Sequence, residues 1–120
     1  MKPLIGLIDD DELFRLGLAE DLRSLGQPVE LAKDAKGGLA LLETKPLAAI
    51  IVDILMPKVD GLEFIVRIRQ RWPDLYIIAI SGGGKIGSEF YLGLAADSGA
   101  DACFKKPVSG RDILAQIPSL

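Results

Sequence analysis

Acidic side chains directly follow two short apolar segments of the sequence. Asp9 and Asp10 come after residues 4–8, and Asp53 comes after residues 48–52. Such short apolar runs are typical of buried strands in a parallel sheet, and open α/β sheets bind ligands at the carboxyl edge of neighbouring strands. Two carboxylates about 4 Å apart repel by roughly 4 kcal/mol at an effective dielectric constant near 20. A cluster of three therefore predicts a hard cation, and Mg²⁺ is the expected cofactor.

Two further polar side chains follow other apolar segments. Ser81 comes after residues 76–80, and Lys106 follows residues 102–105 and precedes Pro107. The same edge would then carry three acids, a hydroxyl and an ammonium group. This set suits transfer of a phosphoryl group to a carboxylate, because the metal and the ammonium neutralise the phosphoryl oxygens, the hydroxyl donates to one of them, and one acid is the nucleophile.

The elements that must position these residues alternate regularly. The predicted strands span 4–8, 29–32, 48–52, 76–80 and 102–104. A segment with apolar residues at helical spacing follows each of them. Five βα units in succession predict an α/β fold with a doubly wound, five-stranded parallel sheet and five helices.

Composition limits the classes of function. The 120 residues, with 49% hydrophobic content and a mean hydropathy of +0.31, suit one globular domain over 1–120. The chain has no histidine and one cysteine, so a zinc site has almost no possible ligands. A net charge of −3 argues against direct nucleic-acid binding. No apolar run is long enough to span a membrane and no signal peptide is evident, so we expect a cytoplasmic protein.

In this order the residues resemble the receiver domain of two-component response regulators, over essentially the whole chain. The matching pieces are Asp9-Asp10, residues 53–61, Ser81 and Lys106-Pro107. Each is a weak motif alone, but four of them in the right order, each at a strand end, form a specific signature.

The resemblance implies how the acids are used. Asp53 would be the phosphoacceptor and would become an aspartyl phosphate. Asp10 would bind Mg²⁺ directly, Asp9 would bind it partly through water, and the backbone carbonyl of Leu55 would complete the protein ligands.

It also implies roles for the remaining site residues. Lys106 would pair with Asp53 at rest and later with the phosphoryl group, and Ser81 would move towards that group. The peptide bond before Pro107 would be cis, and the strand order would be 2-1-3-4-5.

The function implied is that of a stand-alone receiver protein in a phosphorelay. The donor would be a phosphohistidine on a separate histidine kinase or histidine phosphotransfer protein, since this chain has no histidine. Phosphorylation would switch a protein-interaction surface around the fourth and fifth helices and the fifth strand, for an unknown downstream protein. The chain would be an acceptor domain and not a turnover enzyme.

Three features depart from the usual receiver pattern or need a choice. Cys103 stands where receiver domains often have an aromatic switch residue, and Phe104 should face the other way. Lys105 is expected at the surface, opposite to Lys106. The glycine-rich segment 82–87 is longer than usual, and we expect it to be mobile at rest and to tighten on phosphorylation.

Aromatic residues on the fourth helix pose a separate choice. Phe90 is expected in the core and Tyr91 at the surface.

Two alternative functions remain open at this stage. The segment Gly82–Gly87 fits the glycine spacing of a dinucleotide-binding loop, although only one predicted strand follows it. The chain could also be a receiver-like interaction module that is never phosphorylated, but such modules typically lose one of the acids, the hydroxyl or the lysine.

Overall fold

The computed structural model describes residues 3–56, 60–82 and 88–118. Ten elements alternate along the chain, as the apolar pattern predicts. They are β1 (Leu4–Ile8), α1 (Glu12–Ser24), β2 (Val29–Ala32), α2 (Ala35–Thr44), β3 (Leu47–Asp53), α3 (Gly61–Arg71), β4 (Tyr76–Ser81), α4 (Ser88–Ser98), β5 (Ala102–Lys105) and α5 (Gly110–Gln116). Two polar residues predicted to follow strands, Asp53 and Ser81, are instead the last residues of β3 and β4.

The five strands form one parallel sheet in the order β2-β1-β3-β4-β5. This confirms the predicted α/β fold and strand order. Strand β2 is added on one side of β1, and β3, β4 and β5 are added on the other side. The strand order therefore reverses between β1 and β3, where Ile8 pairs with Val52. The residues that follow these two are Asp9 and Asp53, so the topology itself brings these acids together.

Apolar side chains cover both faces of the sheet. Ile50 and Ile51 are adjacent in β3 and both fully buried, one in each of the two core clusters. Residues of α2, α3 and α4 belong to the first cluster, and residues of α1 and α5 belong to the second. The central strands β1, β3 and β4 are continuous apolar runs because helices cover both of their faces.

Side chains at the helix starts fix where the helices begin. Asp11, Asp34, Asp60 and Ser109 are the N-cap residues of α1, α2, α3 and α5, and each accepts a hydrogen bond from a backbone N–H of the first turn. A cap of this kind stabilises a helix by about 1 kcal/mol. The caps therefore determine the residue at which each of these helices begins.

The aromatic residues of α4 lie opposite to the sequence prediction. Phe90 is 55% exposed, whereas Tyr91 is half-buried and packs against the first core cluster. The prediction was therefore wrong for both residues. Adjacent helical residues point about 100° apart, so only the packing of α4 decides which of them is buried.

Within the described ranges, none of the helices combines the length and apolar character needed to cross a bilayer.

Gly61 allows α3 to start close to the segment after β3. A Cβ atom at this position would lie 2.5 Å from the Cα atom of Ile54 and 2.7 Å from its carbonyl oxygen. These are backbone atoms, so a larger side chain forces the backbone to move. The close approach ties the start of α3 to the residue that follows Asp53.

We predict that Gly61→Ala lowers the free energy of unfolding by about 1–3 kcal/mol, the usual cost of overpacking. Gly17→Ala in α1 is the matched control, because its added Cβ meets nothing within 4 Å apart from its chain neighbours and the backbone of its own helix. That change should stabilise the protein by about 0.5–1 kcal/mol. Urea unfolding measures both variants, and equal stability of Gly61→Ala and the wild-type protein would contradict the prediction.

Candidate functional site

Three carboxylates meet at the carboxyl edge between β1 and β3. Asp9, Asp10 and Asp53 each offer an oxygen, and these oxygens lie within 4.8 Å of one another. Asp9 is fully buried, Asp53 is 3% exposed, and Asp10 faces solvent. Buried carboxylates this close require positive charge nearby.

Lys106 supplies that charge. Its Nζ atom lies 2.8 Å from Oδ2 of Asp9 and 3.4 Å from Oδ2 of Asp53, and its side chain is 17% exposed. The peptide bond between Lys106 and Pro107 is cis, as the resemblance implied. The ammonium is thus closer to Asp9 than to Asp53, the partner that the resemblance implied. Burial lowers the pKa of Lys106, but the two carboxylates together raise it more, so the pKa lies above its ordinary value.

The two oxygens of Asp9 have different surroundings. Oδ1 accepts a hydrogen bond from the N–H of Asp11, at 2.9 Å. Oδ2 pairs with the Lys106 ammonium at 2.8 Å, and no other residue that the structure describes donates a hydrogen bond to it. A buried oxygen of this kind retains a lone pair for another cation.

Asp53 is held by the backbone that follows it. Its Oδ1 accepts a hydrogen bond from the N–H of Leu55, at 3.0 Å. Burial raises the pKa of Asp53 to about 6, and the Asp9 charge adds to this, while the Leu55 N–H and Lys106 oppose it. A pKa in this range is typical of functional carboxyl groups.

Ser81 completes the edge. It is fully buried at the end of β4, where it pairs in register with Lys105 of β5. The carbonyl of Ser81 accepts a hydrogen bond from the N–H of Lys106, at 2.9 Å. Pairing of β4 with β5 therefore places the backbone of the lysine beside that of the serine.

The structure thus brings the sequence-predicted site residues to one edge of the sheet. They are Asp9, Asp10, Asp53, Leu55, Ser81 and Lys106. Lys105 is exposed, as predicted. Most of the Gly82–Gly87 segment, residues 83–87, lies outside the described residues, as do residues 57–59 of the matching motif.

Cys103 and Phe104 lie on opposite faces of β5, as strand alternation predicts. Cys103 packs against the first core cluster and Phe104 against the second. The Cys103 thiol lies 3.5 Å from the carbonyl of Leu92 in α4, and burial raises its pKa. Cys103 is therefore a small packing residue at the contact between β5 and α4.

One residue at the site was missed by the sequence analysis. The ring centroid of Phe14 lies 4.2 Å from Nζ of Lys106. Phe14, Leu18 and Leu22 have the helical spacing of one apolar helix face, and this spacing does not predict a contact with the lysine. A possible signal was its place in the first turn after the acids, since that turn starts at the functional edge.

These residues fit a divalent cation. Carboxylate and carbonyl oxygens are the ligands that Mg²⁺ and Ca²⁺ prefer, and the oxygens of the three acids lie within 4.8 Å of one another. The cluster contains neither histidine nor cysteine, the ligands of softer metals.

Comparisons with known proteins identify the family. The family model of the response regulator receiver domain matches residues 5–118. The chain is 34% identical over all its 120 residues to the response regulator MprA of Mycolicibacterium vanbaalenii, of which it covers 51%. It is 34% identical over 113 residues, 94% of its length, to the response regulator MprA of Mycobacterium leprae, of which it covers 48%. The chain spans about half the length of these relatives.

Solved structures agree with the family model. A receiver domain protein (CheY-like) from Methanospirillum hungatei JF-1 superimposes with a TM-score of 0.84 at 28% identity, covering 97% of this chain and 90% of that one. A response regulator from Burkholderia pseudomallei, solved with a phosphorylated aspartic acid, a calcium ion and citrate, gives 0.85 at 28% identity, with coverages of 98% and 68%. The chain belongs to the response regulator receiver domain family, whose members are phosphoacceptors in two-component signalling.

The raised pKa of Asp53 predicts how stability depends on pH. Its ordinary value is 3.8, so the folded protein binds this proton more tightly than the unfolded chain does, and stability falls as pH rises from about 4 through about 6. Asp53→Asn removes the buried charge. Without divalent cations, it should therefore raise the free energy of unfolding by about 1–3 kcal/mol at pH 7.5.

The increase in the free energy of unfolding of Asp53→Asn should be smaller below pH 5, where the Asp53 carboxyl of the wild-type protein is protonated. Urea unfolding at both pH values measures it, with the exposed Asp74→Asn as control. A destabilised Asp53→Asn at pH 7.5 would show that the Asp53 charge is favourable in the resting protein.

Proposed function

We propose that Asp53 accepts a phosphoryl group from a phosphohistidine, in a reaction that requires Mg²⁺. The observation that supports this most is the placement of the Asp53 carboxylate. It is buried at the edge, close to Asp9 and Asp10, with one oxygen held by Leu55 and the other 3.4 Å from Lys106. A related response regulator carries a phosphorylated aspartic acid together with a calcium ion.

In the proposed reaction the Asp53 carboxylate forms a bond to phosphorus. The P–N bond to the donor imidazole breaks at the same time, and its electron pair remains on the imidazole nitrogen. Asp53 must be ionised to attack, so its pKa of about 6 leaves most of it reactive at neutral pH. The Lys106 ammonium neutralises a phosphoryl oxygen, and the Ser81 hydroxyl donates to another.

The ligands proposed for Mg²⁺ are the carboxylates of Asp9, Asp10 and Asp53 and the carbonyl of Leu55. A bound divalent cation would supply positive charge to the phosphoryl oxygens as they approach the acids. Repulsion between an incoming phosphoryl group and three carboxylates is large, so one ammonium cannot offset it. For this reason we expect the reaction to depend on the metal.

The donor proposed is a histidine kinase or histidine phosphotransfer protein in the cytoplasm. These 120 residues contain no histidine, so the phosphohistidine would lie outside them. The proposed output is a contact with a downstream protein, made or broken at the surface of α4, β5 and α5. The exposed Phe90 and Leu94 of α4 give that surface apolar side chains of the kind that protein partners cover.

Incubation of the protein with Mg²⁺ and acetyl phosphate should add one phosphoryl group, detected by intact mass. Asp53→Asn should abolish the gain, and Asp74→Asn should leave it unchanged. Removing divalent cations with a chelator should slow the reaction by more than about tenfold, because the acids then repel the donor. A mass gain that persists in Asp53→Asn means that another residue is the acceptor.

Lys106 and Mg²⁺ should compete for the acid cluster, because the ammonium already pairs with Asp9 Oδ2. Lys106→Met should therefore strengthen Mg²⁺ binding about tenfold at pH 8, while it slows phosphorylation. Isothermal titration calorimetry measures the affinity. Lys105→Met is the matched control, since Lys105 is the neighbouring residue in the chain and is exposed. Weaker Mg²⁺ binding in Lys106→Met would contradict the competition.

A further inference from the structure

Phe14 lies against the lysine ammonium of the site. Nζ of Lys106 is 4.2 Å from the centroid of the Phe14 ring. The same ammonium also forms ion pairs with the carboxylates of Asp9 and Asp53. The face of an aromatic ring carries negative electrostatic potential, so it attracts a cation without accepting a proton.

The position of Phe14 is fixed by the same acid that binds the lysine. Asp9 Oδ1 accepts a hydrogen bond from the N–H of Asp11, and Asp11 Oδ1 accepts one from the N–H of Phe14. Asp11 is also the N-cap of α1. Asp9 therefore holds Lys106 directly with one oxygen and orients the turn that carries Phe14 with the other.

The arrangement restricts where the ammonium can go. Lys106 has a long side chain with many rotamers, and holding it in one place costs conformational entropy. The Phe14 ring covers the ammonium, whose side chain is 17% exposed, so the ring favours the rotamer in which Nζ faces the acids. A lysine that is already in place loses less entropy when a phosphoryl group arrives.

We propose that Phe14 is a positioning residue for phosphoryl transfer, which holds the Lys106 ammonium over the acceptor through a cation–π contact. This inference rests on the proposed function of Asp53. In this role Phe14 acts on the reaction through Lys106.

Three variants separate this role from simple packing, since Phe14 also packs against the second core cluster. Phe14→Leu keeps an apolar side chain but removes the ring, and Phe14→Tyr and Phe14→Trp keep a ring. With acetyl phosphate and Mg²⁺, Phe14→Leu should lower the maximal phosphorylation rate about threefold to tenfold. The two aromatic variants should keep at least half of the wild-type rate.

A double-mutant cycle tests whether the effect passes through the lysine. In a Lys106→Met background the change Phe14→Leu should alter the rate by less than about twofold, because no ammonium remains to be positioned. An undiminished loss in that background would assign Phe14 a packing role and overturn the inference. So would equal losses in Phe14→Leu and Phe14→Tyr.

A second readout does not depend on phosphorylation. Ring currents of Phe14 should shift the ε-methylene protons of Lys106 upfield in the NMR spectrum of the wild-type protein, and Phe14→Leu should remove that shift. Wild-type protein without the shift would show that the contact does not form in solution, which overturns the inference alone. Failure of Asp53 to accept a phosphoryl group, with the shift present, would instead refute the proposed function and with it the role of Phe14 in transfer.

Discussion

The site depends on one electrostatic constraint: two buried carboxylates, Asp9 and Asp53, share a single ammonium. Each acid is removed from water, and their mutual repulsion adds to the cost of burial. Lys106 offsets part of that cost by contacting both. The remaining cost is seen in the pKa of Asp53, which stays near 6 although a cation is close by. The site is therefore held in a state that favours an additional cation.

The fold creates this constraint through its topology. The strand order places β1 beside β3, so the acids at their carboxyl ends meet, and pairing of β4 with β5 brings in Lys106 from the far end of the sequence. Helices cover both faces of the sheet, and Asp9, Asp53 and Ser81 are buried at its carboxyl edge. Only Asp10 faces solvent among the three acids, so ligands have access from that side.

Sequence patterns predicted the elements and placed three acids, Ser81 and Lys106 at one edge, because apolar runs that stop at polar residues mark strand ends in a parallel sheet. The part of Leu55 was implied only by the resemblance to the receiver family. They could not predict contacts that depend on side-chain rotamers and helix rotation. Lys106 lies closer to Asp9 than to Asp53, Phe14 covers its ammonium, and Tyr91 rather than Phe90 packs inward. Each of these depends on differences of about 1 Å or on the rotation of one helix, which residue type and spacing do not encode.

The closer approach of Lys106 to Asp9 bears on how such a site can change state. In the resting protein the ammonium occupies an oxygen of the acid that is most deeply buried, Asp9, and thereby takes part of the place of a divalent cation. A cation binding to the three acids would weaken the hold of Asp9 on the lysine, because both compete for the same oxygen. The lysine would then be free to follow negative charge that appears on Asp53. In the proposed reaction the same ammonium would therefore stabilise the acids before phosphorylation and would become available to a phosphoryl group once a divalent cation balanced their charge.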